Sequence, residues 1–151
     1  MPSSKLHHVV FCVRRENQEQ AADYWRALGM TFVEVPLEEE GIRVLLDWGG
    51  GIEIIAPSEP AGTETARFLA FLDERGEGVY SVVVRTDEYE GAVAAAVGQG
   101  AGVVYQQHRE HGEGKGAIVI DEADLAPVLG MGVTLLSTNL PDDDFSAMGQ
   151  G

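Results

Sequence analysis

Two stretches of the sequence decide the fold, HVVFCV at residues 8–13 and SVVVRT at residues 81–86. Both predict short apolar β-strands because β-branched residues dominate them. A helical pattern follows each strand and ends at a glycine, Gly29 in the first half and Gly98 in the second. Three further extended stretches then follow in each half: Thr31–Val35, Ile42–Trp48 and Ile52–Ala56, and later Val103–Gln107, Ala117–Ile120 and Val133–Ser137. The sequence therefore predicts an internal repeat of two βαβββ modules.

The stretch between the two modules predicts a linker that carries its own helix. Phe68, Leu69 and Leu72 have the spacing of a buried helical stripe, and prolines precede them. Neither module can bury enough apolar surface alone, so we expect one cooperative α+β domain whose curved mixed sheet surrounds a cleft. The predicted boundaries are 1–57 for the first module, 58–78 for the linker, 79–140 for the second module and 141–151 for a flexible acidic tail.

Composition excludes several classes of function. Ten Lys and Arg stand against 25 Asp and Glu, which gives a net charge of −15, and such a chain repels nucleic acid. The sequence has no run of residues long and apolar enough to cross a membrane. Cys12 is the only cysteine, so no intramolecular disulfide can form and a reducing compartment is favoured. We therefore expect a cytoplasmic protein without nucleic-acid or membrane partners.

Six short motifs along the chain, taken in their order, indicate a resemblance to a known family. They are HHVVFCV, ALGMTF, EEEGIRV, GIEIIAP, GEGVYSVVVRT and GMGVTLL. With these motifs the chain resembles the vicinal oxygen chelate superfamily, which includes glyoxalases, bleomycin-resistance proteins and dioxygenases, from about Leu6 to Asn139. Within it the motifs are most similar to those of methylmalonyl-CoA epimerases. The resemblance implies the paired-module fold described above and a homodimer.

The resemblance also implies where a metal would bind, and there the chain departs from the family. Metal-binding members take four ligands from the first and last strands of each half. At those positions this chain has His8 and Glu53 in the first half, but Ser81 in place of a histidine and Leu136 in place of a carboxylate. Val44 stands where the epimerases have a carboxylate base. We therefore expect a degenerate metal site and no cofactor, with a divalent transition metal bound by His8 and Glu53 as the alternative.

The remaining polar pair suggests chemistry without a metal. An imidazole and a carboxylate in an apolar pocket can share a proton near neutral pH, so His8 and Glu53 are candidates for an acid/base pair. The pair could instead hydrogen-bond a ligand, or be structural. The predicted ligand is a small, largely apolar organic molecule, and its expected lining residues are Val10, Cys12, Val44, Leu46, Trp48, Ser81, Val83 and Leu136.

Two rival functions remain open. The first is a metal-dependent lyase, isomerase or dioxygenase with a rearranged ligand set that recruits His108 or His111. Both histidines lie in QHREHGEGKG, which its glycines predict to be a mobile hairpin loop. The second is an interaction module whose cleft is filled by its own side chains.

Overall fold

The computed structural model describes residues 2–148, and these form two compact units. Residues 9–80 make up the first, which we call the N-unit. Residues 2–8 together with residues 81–148 make up the second, which we call the C-unit. Of the predicted tail, residues 149–151 lie outside the described part of the chain.

The order of elements confirms the α+β class and the two βαβββ modules. The first module consists of β1 and α1 followed by three strands, and the second repeats that order from β5 and α3. One further helix, α2, lies between them in sequence, as predicted. The elements are β1 (Ser4–Cys12), α1 (Gln18–Ala27), β2 (Val33–Val35), β3 (Ile42–Asp47), β4 (Ile52–Pro57), α2 (Thr65–Arg75), β5 (Gly78–Thr86), α3 (Tyr89–Gly98), β6 (Val103–His111), β7 (Ile118–Val128) and β8 (Met131–Thr138).

The strands of the N-unit pair in the order β2-β3-β4-β1. β1 runs parallel to β4, whereas β2, β3 and β4 are antiparallel neighbours. Helix α1 covers one face of this sheet, where Ala22 packs with Leu45 and Ile54 in a buried cluster. The side chain of Gln18, at the start of α1, is fully buried and donates hydrogen bonds to the backbone carbonyls of Arg43 and Ile54.

The strands of the C-unit pair in the order β5-β8-β7-β6. β5 runs parallel to β8, and the other neighbours are antiparallel. Helix α3 covers one face of this sheet, where Ala92 packs with Leu125 and Leu135. Each unit therefore buries a helix, α1 or α3, against one face of its sheet.

Helix α2 lies where the linker helix is predicted, but the prediction that three of its residues are buried is wrong for one of them. Phe68 and Leu72 are buried, whereas Leu69 is 43% exposed. Successive helical residues are rotated by about 100°, so Leu69 points away from the side that buries Phe68.

The backbone before α2 makes a close contact with the turn before β3. The Gly62 N–H donates to Thr65 Oγ1 at 2.8 Å, and that hydroxyl donates to the Gly41 carbonyl at 2.9 Å. Gly41 has a φ of 78°, and a Cβ there would lie 1.9 Å from Thr65 Oγ1 and 2.2 Å from the Gly62 nitrogen. Only glycine fits at position 41, because any side chain would both strain the backbone and displace the start of α2.

The prediction that QHREHGEGKG, residues 107–116, forms a hairpin loop is wrong for its first half. QHREH belongs to β6, whose ladder with β7 continues to the pair His111 and Ile118. β7 is also longer than the predicted Ala117–Ile120, since it runs on to Val128. Polar side chains lie on both faces of this part of β6, so the sequence lacks the alternation that would predict a strand. Backbone hydrogen bonds to β7 nevertheless maintain the strand. No helix among residues 2–148 is long and apolar enough to span a bilayer.

Candidate functional site

The predicted site residues of the N-unit share the face of its sheet opposite α1. Strand register places Glu53 between Val10 of β1 and Leu46 of β3. The adjacent row, two residues along each strand, consists of Ile55 between Cys12 and Val44. All of these side chains are buried except Glu53, which is partly buried. Glu53 is therefore the one carboxylate in two otherwise apolar rows.

Two further features characterise the ends of this face. Trp48, which follows β3, is buried with 7% of its surface exposed. Cys12 is fully buried, and burial raises the pKa of its thiol to about 12, with a smaller contribution from the negative charge of Glu77. The thiol therefore stays protonated near neutral pH and is a packing group rather than a nucleophile.

In the C-unit the predicted site residues lie on the sheet face opposite α3, but the chemistry there is polar. Ser81 and Thr134 hydroxyls lie 2.9 Å apart, and Thr134 donates to Asp124 Oδ1 at 2.8 Å. Thr134 has a single hydroxyl proton, so Ser81 must be the donor in the first contact. All three side chains are buried, with 4%, 3% and 7% exposure for Ser81, Thr134 and Asp124. A directed hydrogen-bond chain thus runs from Ser81 through Thr134 to Asp124.

Leu136 and Val83 complete the predicted part of this face. Val83 is the register partner of Thr134, and Leu136 is that of Arg85. Leu136 is 1% exposed and Val83 is 3% exposed, so both are core side chains of the C-unit. The hydrocarbon of Leu136 offers no donor to an ion.

Two carboxylates on the same face escaped the sequence analysis. Asp124 is the register partner of Thr134 on β7, and Glu122 is that of Leu136. The signal was present in the sequence, because Glu122, Ala123, Asp124 and Leu125 alternate between polar and apolar as a half-buried strand does. It was missed because the predicted strand ends at Ile120.

His8 belongs to the C-unit and makes a direct contact with its neighbour His7. His8 is 5% exposed, and its Nδ1 lies 2.8 Å from Nδ1 of His7. The two rings meet edge to face at 82°, and Nε2 of His7 lies 2.9 Å from the backbone carbonyl oxygen of Asp142. Burial lowers the pKa of His7, and the positive charge of a protonated His8 lowers it further. His7 is therefore a neutral imidazole at neutral pH.

The two positions of the second module that the resemblance would make metal ligands carry a serine and a leucine. Ser81 is engaged with Thr134, and Leu136 has no donor atom. Within residues 2–148, no three His, Cys, Asp or Glu side chains gather closely enough to hold an ion. His108 and His111 do not remedy this, because residues three apart on a strand point to opposite faces. His108 instead binds Asp121 at 2.6 Å, and this hydrogen bond raises its pKa, as does a second one with Glu110.

A separate polar pocket of about 490 Å³ lies in the C-unit. Lys5 and Arg85 line it, and both form ion pairs with the carboxylate of Asp142. Hydroxyl groups supply much of the remaining lining, including those of Ser137 and Thr138. None of the site residues predicted from the sequence lines this pocket.

Comparisons with known proteins agree with this architecture. A family model described as the Glyoxalase/Bleomycin resistance protein/Dioxygenase superfamily matches residues 7–119. A hypothetical protein from Bacillus halodurans C-125 is similar in structure, with a TM-score of 0.67, 19% identity and coverage of 94% of this chain and 99% of that one. No curated protein matches the sequence.

Two methylmalonyl-CoA epimerases are also similar in structure. A variant of the Streptomyces coelicolor enzyme, in complex with 2-nitronate-propionyl-CoA, has a TM-score of 0.62 and 19% identity over 90% of this chain and 98% of that one. The Mycobacterium tuberculosis enzyme has a TM-score of 0.59 and 25% identity over 87% of this chain and 86% of its own.

Proposed function

Because the chain belongs to the glyoxalase, bleomycin-resistance protein and dioxygenase superfamily, we propose that it binds or transforms a small, largely apolar organic molecule without a resident metal ion. His8 and Glu53 act as its acid/base pair. A homodimer and a cytoplasmic location are part of the same proposal.

The observation that carries the proposal concerns the two residues, Ser81 and Leu136, that the second module has where the resemblance would place metal ligands. The Ser81 hydroxyl donates a hydrogen bond to Thr134, which in turn donates to Asp124, and the buried Leu136 fills its position with hydrocarbon. A cation beside these two positions would gain no ligand from Leu136 and would find the Ser81 hydroxyl engaged with Thr134, so the two positions would offset little of its lost hydration. This supports a ligand other than a metal ion at these two positions.

The first module supports an apolar ligand. Val10, Cys12, Val44 and Leu46 surround Glu53 with side chains that cannot hydrogen-bond strongly. Small-molecule sites commonly combine such a surface with one or two polar groups that orient the ligand. Glu53 and the imidazole of His8 are suited to that role, since a carboxylate accepts hydrogen bonds and an imidazole can donate or accept one.

Epimerisation of methylmalonyl-CoA does not follow from the structural similarity. The epimerase-like motif would place a catalytic carboxylate at position 44, where this chain has a valine that is 3% exposed. A buried valine cannot move a proton. We therefore propose a different reaction, or binding alone, at a related site.

The first test is the metal content and epimerase activity of the chain purified without chelators. We expect less than one transition-metal ion per ten chains and no epimerisation of methylmalonyl-CoA, with or without added cobalt. One tightly held metal ion per chain that is lost in His8→Ala would overturn the proposal. That result would support a metal-dependent lyase, isomerase or dioxygenase instead.

The second test locates the ligand surface. NMR spectra with labelled methyl groups, recorded against a panel of uncharged aromatic and aliphatic fragments, should show shifts at Val10, Val44 and Leu46. For the tightest fragment, Glu53→Gln and His8→Gln should each weaken binding about tenfold, as expected for loss of one charge-assisted hydrogen bond. Glu74→Gln, at an exposed position of α2, is the matched control and should bind as the wild type does. Fragments that shift no methyl on this face, or equal binding by all variants, would contradict the proposed site.

A further inference from the structure

The polar pocket of the C-unit holds a carboxylate that belongs to the chain itself, that of Asp142. Lys5 Nζ binds one of its oxygens, and Arg85 Nη1 binds the other at 2.7 Å. We call Lys5 and Arg85 the cation pair. Charge-assisted hydrogen bonds to both oxygens select a carboxylate by its shape as well as by its charge. The pocket is therefore built to recognise a carboxylate.

The walls of the pocket are held in place by bonds that do not involve the Asp142 carboxylate. Arg85 donates through Nη2 to the Thr138 carbonyl at 2.8 Å, and its side chain is 21% exposed. Asp87 Oδ1 accepts the Ser3 N–H at 2.7 Å, and the Asp87 N–H donates to the Ser3 carbonyl at 3.1 Å. The guanidinium and the Asp87 carboxylate therefore keep their positions when the Asp142 side chain moves.

The Asp142 carboxylate is held more weakly than these walls. Its side chain is 43% exposed and that of Lys5 is 65% exposed, and ion pairs in such surroundings contribute little because water and salt screen them. The backbone just before Asp142 is anchored independently, since Leu140 is fully buried and the Asn139 side chain accepts the Val119 N–H at 2.9 Å. Rotation of the Asp142 side chain towards solvent therefore uncovers the cation pair without unfolding the segment after β8.

The charges and hydroxyl groups of the pocket define a class of ligand. When Asp142 turns away, the two positive charges of the cation pair and the negative charge of Asp87 remain, and this balance matches one carboxylate rather than a doubly charged phosphate. The volume of about 490 Å³ leaves room for a body attached to the carboxylate. The rest of the lining favours a hydroxylated body, because it consists of groups that both donate and accept hydrogen bonds, namely the hydroxyls of Ser3, Ser4, Thr86, Ser137 and Thr138.

We propose that this pocket is a second binding site, that its ligand is a small hydroxylated monocarboxylate, and that the ligand takes the cation pair from Asp142. The ligand carboxylate binds Lys5 and Arg85 through its two oxygens, and its hydroxyl groups bind the lining hydroxyls and Asp87. Asp142 is an internal competitor that covers the cation pair until a ligand displaces it. The pocket differs in chemistry from the apolar face around Glu53, so this proposal does not depend on the function proposed above.

The test is an NMR titration of the full chain with sodium lactate, at about pH 8 and constant ionic strength. Lactate should shift the backbone amide signals of residues 85–87 and 137–142 in a saturable way. Propionate has the same carbon chain and carboxylate but no hydroxyl, and it should bind about three- to tenfold more weakly. Inorganic phosphate, which carries nearly two negative charges at that pH, should also bind more weakly than lactate.

Two substitutions with matched controls test the roles of Asp142 and Arg85. Asp142→Asn removes the competing charge and should tighten lactate binding about three- to tenfold, because the apparent affinity rises with the fraction of chains whose cation pair is uncovered. Asp143→Asn removes the same charge from the next residue, which is exposed, and should bind as the wild type does. Arg85→Gln should weaken binding about tenfold or more, whereas Arg75→Gln at the exposed end of α2 should not.

Three results would overturn the proposal. The first is lactate binding that is no tighter in Asp142→Asn than in Asp143→Asn, a comparison that does not require Arg85→Gln to fold. The second is a folded Arg85→Gln that binds lactate as tightly as the wild type. The third is propionate or phosphate binding as tightly as lactate, which would show that the pocket does not select a hydroxylated monocarboxylate.

Discussion

The two modules have the same topology, but the sheet faces opposite α1 and α3 differ in chemistry. In the N-unit the face opposite α1 is apolar around a single carboxylate, Glu53. In the C-unit the face opposite α3 holds the buried chain from Ser81 to Asp124. The helix-covered faces are more alike, since both bury a cluster of aliphatic side chains, although Phe11, Trp25 and Phe32 also pack against that of the N-unit. The comparison teaches that the two halves resemble each other most where a helix covers the sheet and differ most on the opposite face.

The units also differ in their helices, and this difference carries the largest expected effect. The N-unit has α2 in addition to α1, whereas the described part of the C-unit has α3 alone. Phe68 on α2 is 1% exposed, so Phe68→Ala should destabilise the protein by about 3–5 kcal/mol, the usual cost of such a cavity. Urea unfolding measures this free energy.

The neighbouring residue provides the control for that measurement. Leu69→Ala should cost about 0.5 kcal/mol or less, because the leucine is 43% exposed. If Leu69→Ala costs as much as Phe68→Ala, the packing of α2 described above is wrong.

Exchanging polar and apolar side chains on the faces opposite α1 and α3 should have intermediate effects on stability. Thr134→Val keeps the volume but leaves Asp124 and Ser81 without their shared partner, which should cost about 1–3 kcal/mol. Val44→Thr places a hydroxyl in the apolar face and should cost a similar amount. Val104→Thr, on an exposed part of β6, is the control and should change stability by about 0.5 kcal/mol or less. A neutral effect of both buried substitutions would show that the two faces are interchangeable.

The smallest expected effect is confined to alkaline pH and to the N-unit. Burial raises the pKa of Cys12 from 9.0 to about 12, so the folded state favours the protonated thiol. This contribution to stability is complete below about pH 9 and is lost as the pH rises towards 12. Between those values the unfolding free energy of the wild type should fall more steeply than that of Cys12→Ala. Parallel slopes in urea unfolding would show that the thiol does not titrate as described.

Sequence reasoning predicted the repeat, the order of elements and the linker helix because periodicity and glycine stops are local signals. It failed for Leu69, since the run FLAFL is apolar throughout and does not reveal which side of the helix is buried. It ended β7 too early because two consecutive acidic residues, Asp121 and Glu122, interrupt the apolar pattern.

The site was predictable in part for a similar reason. The family resemblance identified Ser81 and Leu136, but not the partners that occupy Ser81. Thr134 lies 53 positions from Ser81 and meets it only through strand pairing, and Asp124 in turn binds Thr134 across 10 positions. The pairing of His8 with Glu53 remains a prediction. The contact of His7 with Asp142 spans 135 positions, and no pattern in the sequence predicts it.

The tight packing between Gly41 and Gly62 limits how this protein can be modified. Residues that follow Pro57 would ordinarily be an attractive point for inserting a tag or a peptide, because they connect two elements at the surface. Here the backbones of positions 41 and 62 lie close together, and the Thr65 hydroxyl links them. An insertion within 58–64 would separate that contact, whereas one in the turn at 112–117, whose glycines have open space around them or only an ordinary contact, should be accommodated.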